Sequence, residues 1–347
     1  LYNSGTTNIT NGGTITATNN NSNPIFSGGN SGTTNITNSG IITTNGQDGV
    51  GIYSFYQAGA GTINITNSGT ITTSEQDSMG IYSVSNSGTT NITNSGTITT
   101  SGSSGSQGIA SNGNSGTANI TNSGTITTSG QYSHGMYSYN NSATETFTNS
   151  GTITTSGSNA AGIFSQSNSG TANITNSSTI TTSGSEGYGM YSYANTGTEN
   201  ITNSGTITTS DSNGYGIYSY GNSGTETFTN SGTITTSGAS GYGIYSNANI
   251  GTEAITNSGT ITTSGNYGYG MISYNQGSGG TSTITNSGTI TTSGTSAYGI
   301  ESLSNSGTST IISSGTITTS GQYGHGMYSK NQASGGIGTF TNSGTIT

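Results

Sequence analysis

Glu145, Glu199, Glu226 and Glu253 are the residues whose type and spacing come nearest to a reactive constellation in this sequence. They are separated by multiples of 27 residues. Carboxylates stacked at strand spacing repel one another, and a hard, oxygen-seeking divalent cation such as calcium would relieve that repulsion. Glu199, Glu226 and Glu253 are therefore the candidate metal residues. The plainer expectation puts all four at an exposed corner, solvated and without a ligand. The Asp- and Gly-rich nonapeptides of calcium-binding β-rolls are absent. His134 and His325 share a second column, but seven repeats separate them, roughly 34 Å at ~4.8 Å per repeat, so they cannot form one site. No nucleophile–base pair and no metal-ligand spacing stands out. The expectation is a protein that is not an enzyme, with no catalytic residues and no cofactor; a polysaccharide-acting enzyme ranks last among the alternatives, because enzymatic β-helices need clustered charges.

Aromatic residues give a second, non-catalytic possibility. Tyr137, Tyr191, Tyr218 and Tyr245 fall in one column, Tyr193 and Tyr220 in another, and Tyr188, Tyr215, Tyr242 and Tyr269 in a third. Stacked tyrosines stabilise a sheet through cross-strand pairs. Exposed aromatic area also serves as a contact surface for glycans or proteins, and these residues are the candidate surface. Threonines flank a conserved column of isoleucine, as in Thr206-Ile207-Thr208. A flat Thr-x-Thr array resembles the ice-binding face of β-solenoid antifreeze proteins, although threonine is also the ordinary outward residue of a strand.

What must position these columns is the repeat itself. The isoleucine of Asn203-Ser204-Gly205-Thr206-Ile207-Thr208-Thr209-Ser210 returns at Ile15, Ile42, Ile71, Ile98, Ile126, Ile153, Ile180, Ile234, Ile261, Ile290, Ile317 and Ile346, at steps of 27 to 29 residues. A fixed period in this range marks a solenoid whose unit cannot bury its apolar face alone. Each repeat carries three short β-like runs bounded by Gly, Asn and Ser, exemplified by Asn200–Asn203, Thr206–Thr209 and Gly216–Tyr220. The predicted fold is all-β: a single parallel β-helix, three strands per ~27-residue coil, about twelve coils, one continuous domain over 1–347. At ~4.8 Å per coil it would extend roughly 60 Å.

Strand parity points one residue per run inward, giving three apolar plugs per coil, for example Ile201, Ile207 and Ile217. Two residues beyond the third plug, serine recurs from Ser27 to Ser329, and parity places those hydroxyls inside, bonded to one another or to backbone. Two residues beyond the first plug, Asn38, Asn67, Asn94, Asn122, Asn149, Asn176, Asn203, Asn230, Asn257, Asn286 and Asn342 form a predicted amide ladder, broken by Ser313. The glycine two positions later is expected to supply a positive-φ turn. The 29-residue steps add residues after the third run, at Phe55–Ala60, Asn275–Gly280 and Asn331–Gly336. The first coil, about 1–29, is atypical, with Pro24 where later coils have glycine.

Composition narrows the partners. The 347 residues include 61 glycines, one basic residue and no cysteine, and charged residues are 3% of the total. Such a chain is neither a nucleic-acid binder nor attracted to anionic lipid. No apolar run approaches a membrane span, so no membrane insertion of this segment is expected. Low hydrophobicity alone would suggest disorder, but the few apolar residues are strictly placed. Absence of cysteine fits an exported protein.

The repeated Asn-Ser-Gly-Thr-Ile-Thr-Thr-Ser-Gly, followed by Tyr-Gly-Ile-Tyr-Ser, resembles the low-complexity passenger repeats of bacterial autotransporters and related secreted adhesins. The resemblance covers the whole chain. It implies a β-helical passenger displayed outside the cell, at the bacterial surface, for attachment or aggregation. The family's C-terminal membrane barrel and N-terminal signal have no counterpart in these residues, and the segment reads as part of a longer chain. Near-identical coils with open strand edges also invite end-to-end or lateral assembly with other copies, alongside surface proteins or glycans as partners.

Overall fold

The structure, a computed structural model, describes residues 4–277, 279–330 and 336–347. The chain divides into two compact units, Leu1–Asn173 and Ile174–Thr347. Each is a parallel β-solenoid built on the same three-stranded coil, and together they hold about twelve coils. Short runs of β-branched residues between Gly, Ser and Asn give strands of four to six residues, such as Thr198–Asn203, Thr206–Thr209 and Tyr215–Tyr220. Pairing is parallel and in column register, with Ile201 opposite Phe228, Ile207 opposite Ile234 and Ile217 opposite Ile244. In the first unit, Ile92 likewise faces Ile120 and Ile98 faces Ile126. Because the register equals the repeat, every sequence column becomes a physical file along one sheet.

The three plugs fill the interior. Ile201, Ile207 and Ile217 are at most 1% exposed, as are Ile92, Ile98 and Ile109 in the first unit. Each fully buried plug contributes about 1.5–3 kcal/mol. In the last coil the same columns lie open, with Phe340 36% and Ile346 43% exposed.

Two corners of the coil turn through the left-handed region. One is occupied by Asn213 (φ 53°), Ser240 (φ 54°) and Tyr267 (φ 57°), the other by Ala194 (φ 53°) and Ala248 (φ 56°). For residues other than glycine this costs roughly 1–2 kcal/mol. The turn is held by the ladder itself: the Asn213, Ser240 and Ala248 amides donate to Ala239, Asn266 and Tyr274 carbonyls of the following coil at 2.8–3.0 Å.

The glycines after the amide ladder do not supply those turns, contrary to expectation. Gly205 is not among the positive-φ glycines. Close stacking favours glycine there, because a Cβ would sit 2.0 Å from the Ser178 carbonyl oxygen, although Ser178 itself fills the same column one coil earlier. The insertion at Phe55–Ala60 bulges from its corner, with Phe55 and Tyr56 42% and 47% exposed. Of the other two, Ser278 and residues 331–335 lie outside the described residues.

Candidate functional site

The amide ladder forms as the spacing demands. In the second unit each Asn Nδ2 donates to the next Oδ1 at 2.8 Å, from Asn176 to Asn203, Asn230, Asn257 and Asn286. The file ends with Asn286 donating to Ser313 Oγ at 3.3 Å. In the first unit the same chain runs from Asn11 through Asn38, Asn67, Asn94 and Asn122 to Asn149. Buried amides left without partners cost about 1–3 kcal/mol each. Asn203→Ala strips one partner from Asn176 and one from Asn230, and is expected to destabilise by about 2 kcal/mol in denaturant titration.

A second polar file was missed by the sequence reading. Asn195, Asn222 and Asn249 are 1–3% exposed. The Asn195 and Asn222 backbone N–H groups donate to the next side chain's Oδ1, at 2.6 Å for Asn195 to Asn222 and 2.8 Å for Asn222 to Asn249. Their Nδ2 groups donate to Ser192, Ser219 and Ser246. These serines are therefore met by amides and carboxyls, whereas Ser302 donates to another serine, Ser309, at 3.0 Å. The signal was present, since five residues after the third plug comes Asn or Gln in every coil, but it was hidden inside Asn-Ser-Gly turns.

The glutamate column is where the structure departs most from expectation. Glu145, Glu199, Glu226 and Glu253 do not lie at a solvated corner; they are 1–2% exposed. Each stands two residues before the first plug, as Glu199 does before Ile201, so strand parity turns it inward. Ser192 and Ser219 hydroxyls donate to Glu226 at 2.7 and 2.8 Å, and Asn222 Nδ2 at 2.8 Å. Glu253 accepts from Ser246 at 2.6 Å, Glu199 accepts from Asn195, and the single Ser192 hydroxyl lies between the Glu199 and Glu226 carboxyls. In the first unit Glu145 accepts from Ser111 at 2.6 Å and from Ser138.

Burial pushes the Glu145 carboxyl up to about 7, against which its serine and asparagine donors pull. Burial likewise raises Glu226 and Glu253, and the Glu226 charge raises Glu253 further. Carboxyls that hold their protons near neutrality are poor ligands for a divalent cation. Glu226 and Glu253 thus fit the metal expectation badly, which leaves Glu199 without the carboxylate neighbours a cation would need. Among the described residues no group of three or more His, Asp or Glu side chains is arranged to hold a metal ion.

His134 is also buried, 5% exposed, and burial lowers its imidazole to about 3. Its Nδ1 accepts the Ala161 N–H at 2.9 Å, and its ring packs 4.7 Å from Phe164. It serves as a neutral, aromatic part of the third sheet.

On the outer face of that sheet the tyrosines of the second unit form two parallel stacks. Tyr191, Tyr218 and Tyr245 follow at centroid spacings of 4.8 and 5.0 Å. Tyr215, Tyr242, Tyr269 and Tyr298 repeat at 4.9 Å with interplanar angles of 4° or less, and Tyr188 joins Tyr215 at 5.5 Å. The stacks meet edge-on, as at Tyr242–Tyr245, 5.0 Å and 84°. Tyr193 and Tyr220 stack beside them at 5.6 Å. Offset and edge-to-face pairs of this kind are each worth about 0.5–1.5 kcal/mol. Burial pushes Tyr218 and Tyr242 up to about 12, so the phenols stay neutral donors. In the first unit Tyr137 stacks with Phe164 at 5.3 Å, but Ala110 interrupts its column.

A groove of about 640 Å³ in the second unit runs along Ser-Gly-Thr corners from Ser258 to Thr345 and is lined by hydroxyls and backbone without a titratable group. Comparison with protein-family models, curated proteins and solved structures finds no match, and what this surface does is argued from its geometry.

Proposed function

We propose that this β-solenoid is a structural and adhesive element, displayed outside a bacterial cell, whose tyrosine-bearing third sheet makes the contacts. The observation that carries this reading is the continuous stack from Tyr188 to Tyr298, doubled over its first coils by Tyr191, Tyr218 and Tyr245. A solenoid interior locked by amide ladders and plugs supplies stiffness, and the stacks supply a flat, amphipathic surface of rings and phenolic hydroxyls. Such surfaces suit glycan rings or a second aromatic face. Nothing in the columns calls for catalysis, and the reading assigns none.

Beads coated with the protein are expected to bind cells or one another. Replacing Tyr191, Tyr218 and Tyr245 together by serine is expected to weaken that attachment roughly a hundredfold, at about 1 kcal/mol per ring. The corresponding phenylalanine triple variant keeps the stacks and separates adhesion through rings from loss of folding. Attachment unchanged in a folded serine variant would end the proposal.

A second reading, ice binding, is favoured by the outward threonines of the second sheet. Thr206, Thr233 and Thr260 lie in register, as do Thr208, Thr235 and Thr262. Thermal hysteresis in a solution of the protein would select that reading, and its absence would discard it.

A further inference from the structure

The tyrosine stack of the second unit has one fault. In the column that reads Tyr191, Tyr218 and Tyr245, the next residue is Ile272 and the one after is Glu301, before Tyr328 resumes. Ile272 is 4% exposed and stops short of the level its tyrosine neighbours reach. A notch of about 150 Å³ results, walled by Tyr245, Tyr242, Tyr269, Tyr274 and Glu301 over the floor of Ile272. Glu301 is only 2% exposed, and its Oε2 is buried with no hydrogen-bond partner. A buried carboxylate oxygen without a partner carries a large desolvation cost.

The break at Ala110 in the first unit makes an informative contrast. There Asn112 Nδ2 reaches across to donate to the Tyr82 hydroxyl at 2.9 Å, and no carboxylate intervenes. Of these two breaks, the one at Ile272 combines an unstacked ring, a gap and a carboxylate oxygen without a hydrogen-bond partner.

We propose that this notch is a binding site for a small organic ammonium ion, held by the Tyr245 ring, against which Ile272 sets no second ring, and by the Glu301 carboxylate. A compact cation over that ring gains from its quadrupole, and most where water is excluded. The same cation answers Glu301 Oε2, which no described side chain does. Burial pushes the Glu301 carboxyl up to about 7, with Lys330 pulling it back. Tyr242, Tyr269 and Tyr298 face it as phenols that burial holds above their usual range, Tyr328 is its register neighbour, and exposed Lys330 lies across the register from Leu303 at the rim. The site then fills more readily at pH 8 than at pH 6, because only the ionised carboxyl attracts a cation.

This site goes beyond the adhesive reading and does not depend on it: a solenoid that attached to nothing would still bind the ion. The test is calorimetric titration of the whole chain with tetramethylammonium chloride at pH 8, against sodium chloride as the control for ionic strength. Saturable binding in the millimolar range is expected. Glu301→Gln is expected to weaken it about tenfold or more. Ile272→Tyr restores the column and is expected to abolish binding while keeping the fold, which circular dichroism checks. Absence of saturation, or binding unchanged in both variants, overturns the proposal. So does saturable binding of a neutral sugar at the notch that is indifferent to Glu301→Gln.

Discussion

Raising the pH from 5 to 9 is expected to destabilise the protein steeply, without any change in its net fold up to the transition. The cause is the buried carboxyl file. Glu145, Glu226 and Glu253 hold their protons in the folded chain above the ordinary value of 4.5. Below 4.5 both folded and unfolded chains are protonated and stability is full. Above it the unfolded chain releases protons that the folded chain keeps, so unfolding gains as the pH rises. The loss stops once the folded groups ionise, above neutrality. For Glu145, raised from 4.5 to about 7, this amounts to about 3 kcal/mol at 1.36 kcal/mol per unit. Glu226 and Glu253 add to it in the same direction. Melting temperature measured across this range should fall, and Glu226→Gln with Glu253→Gln should flatten the curve and raise stability at pH 9. A flat profile in the unmodified chain would mean that these side chains are hydrated.

The second large effect is steric. Gly216 precedes the third plug, and a Cβ there would lie 2.3 Å from Ile234 Cγ2 and 2.6 Å from the Gly243 carbonyl oxygen. Both contacts belong to the next coil, and one is backbone, so the coil spacing itself must open. Gly216→Ala is expected to cost about 3 kcal/mol, the upper range for overpacking. Gly221→Ala is the control, because nothing lies within 4 Å of its Cβ, although its φ of +66° adds a conformational cost. Chemical denaturation of the two variants should rank Gly216→Ala as the more damaging. Equal stability would place the coils farther apart than the register implies.

How far the columns could be read depended on which physical rule governed each. Plug columns and the Asn203 ladder were legible because one constraint, inward parity at strand spacing, fixes them. The same parity applied to Glu199 gives burial; the expectation of a solvated corner arose from charge, because an ionised carboxylate avoids the interior. A shifted titration removes that objection, and no sequence pattern announces the shift. The Gly205 column was recognised but misassigned, since close stacking and a positive φ both demand glycine. The turns themselves fall on residues such as Ala194 and Tyr267, whose side chains give no sign of a left-handed backbone. In the candidate surface, the tyrosine columns were visible as repeats, whereas the Ile272–Glu301 fault matters only because of what is missing from a stack.

All of these assignments rest on one claim, that residues one repeat apart are direct neighbours. The chain has no cysteine, which gives cross-linking a clean background. Thr208 and Thr235 face outward in register on adjacent coils. Their Cα atoms, at a strand spacing of ~4.8 Å, fall within the range a disulfide spans. With cysteine at both positions, oxidation is expected to close an intramolecular bond, while the pair at 208 and 262, two coils apart, stays open. Failure of the 208–235 pair to close in a folded chain, or equal closure of both pairs, would contradict the register on which every column depends.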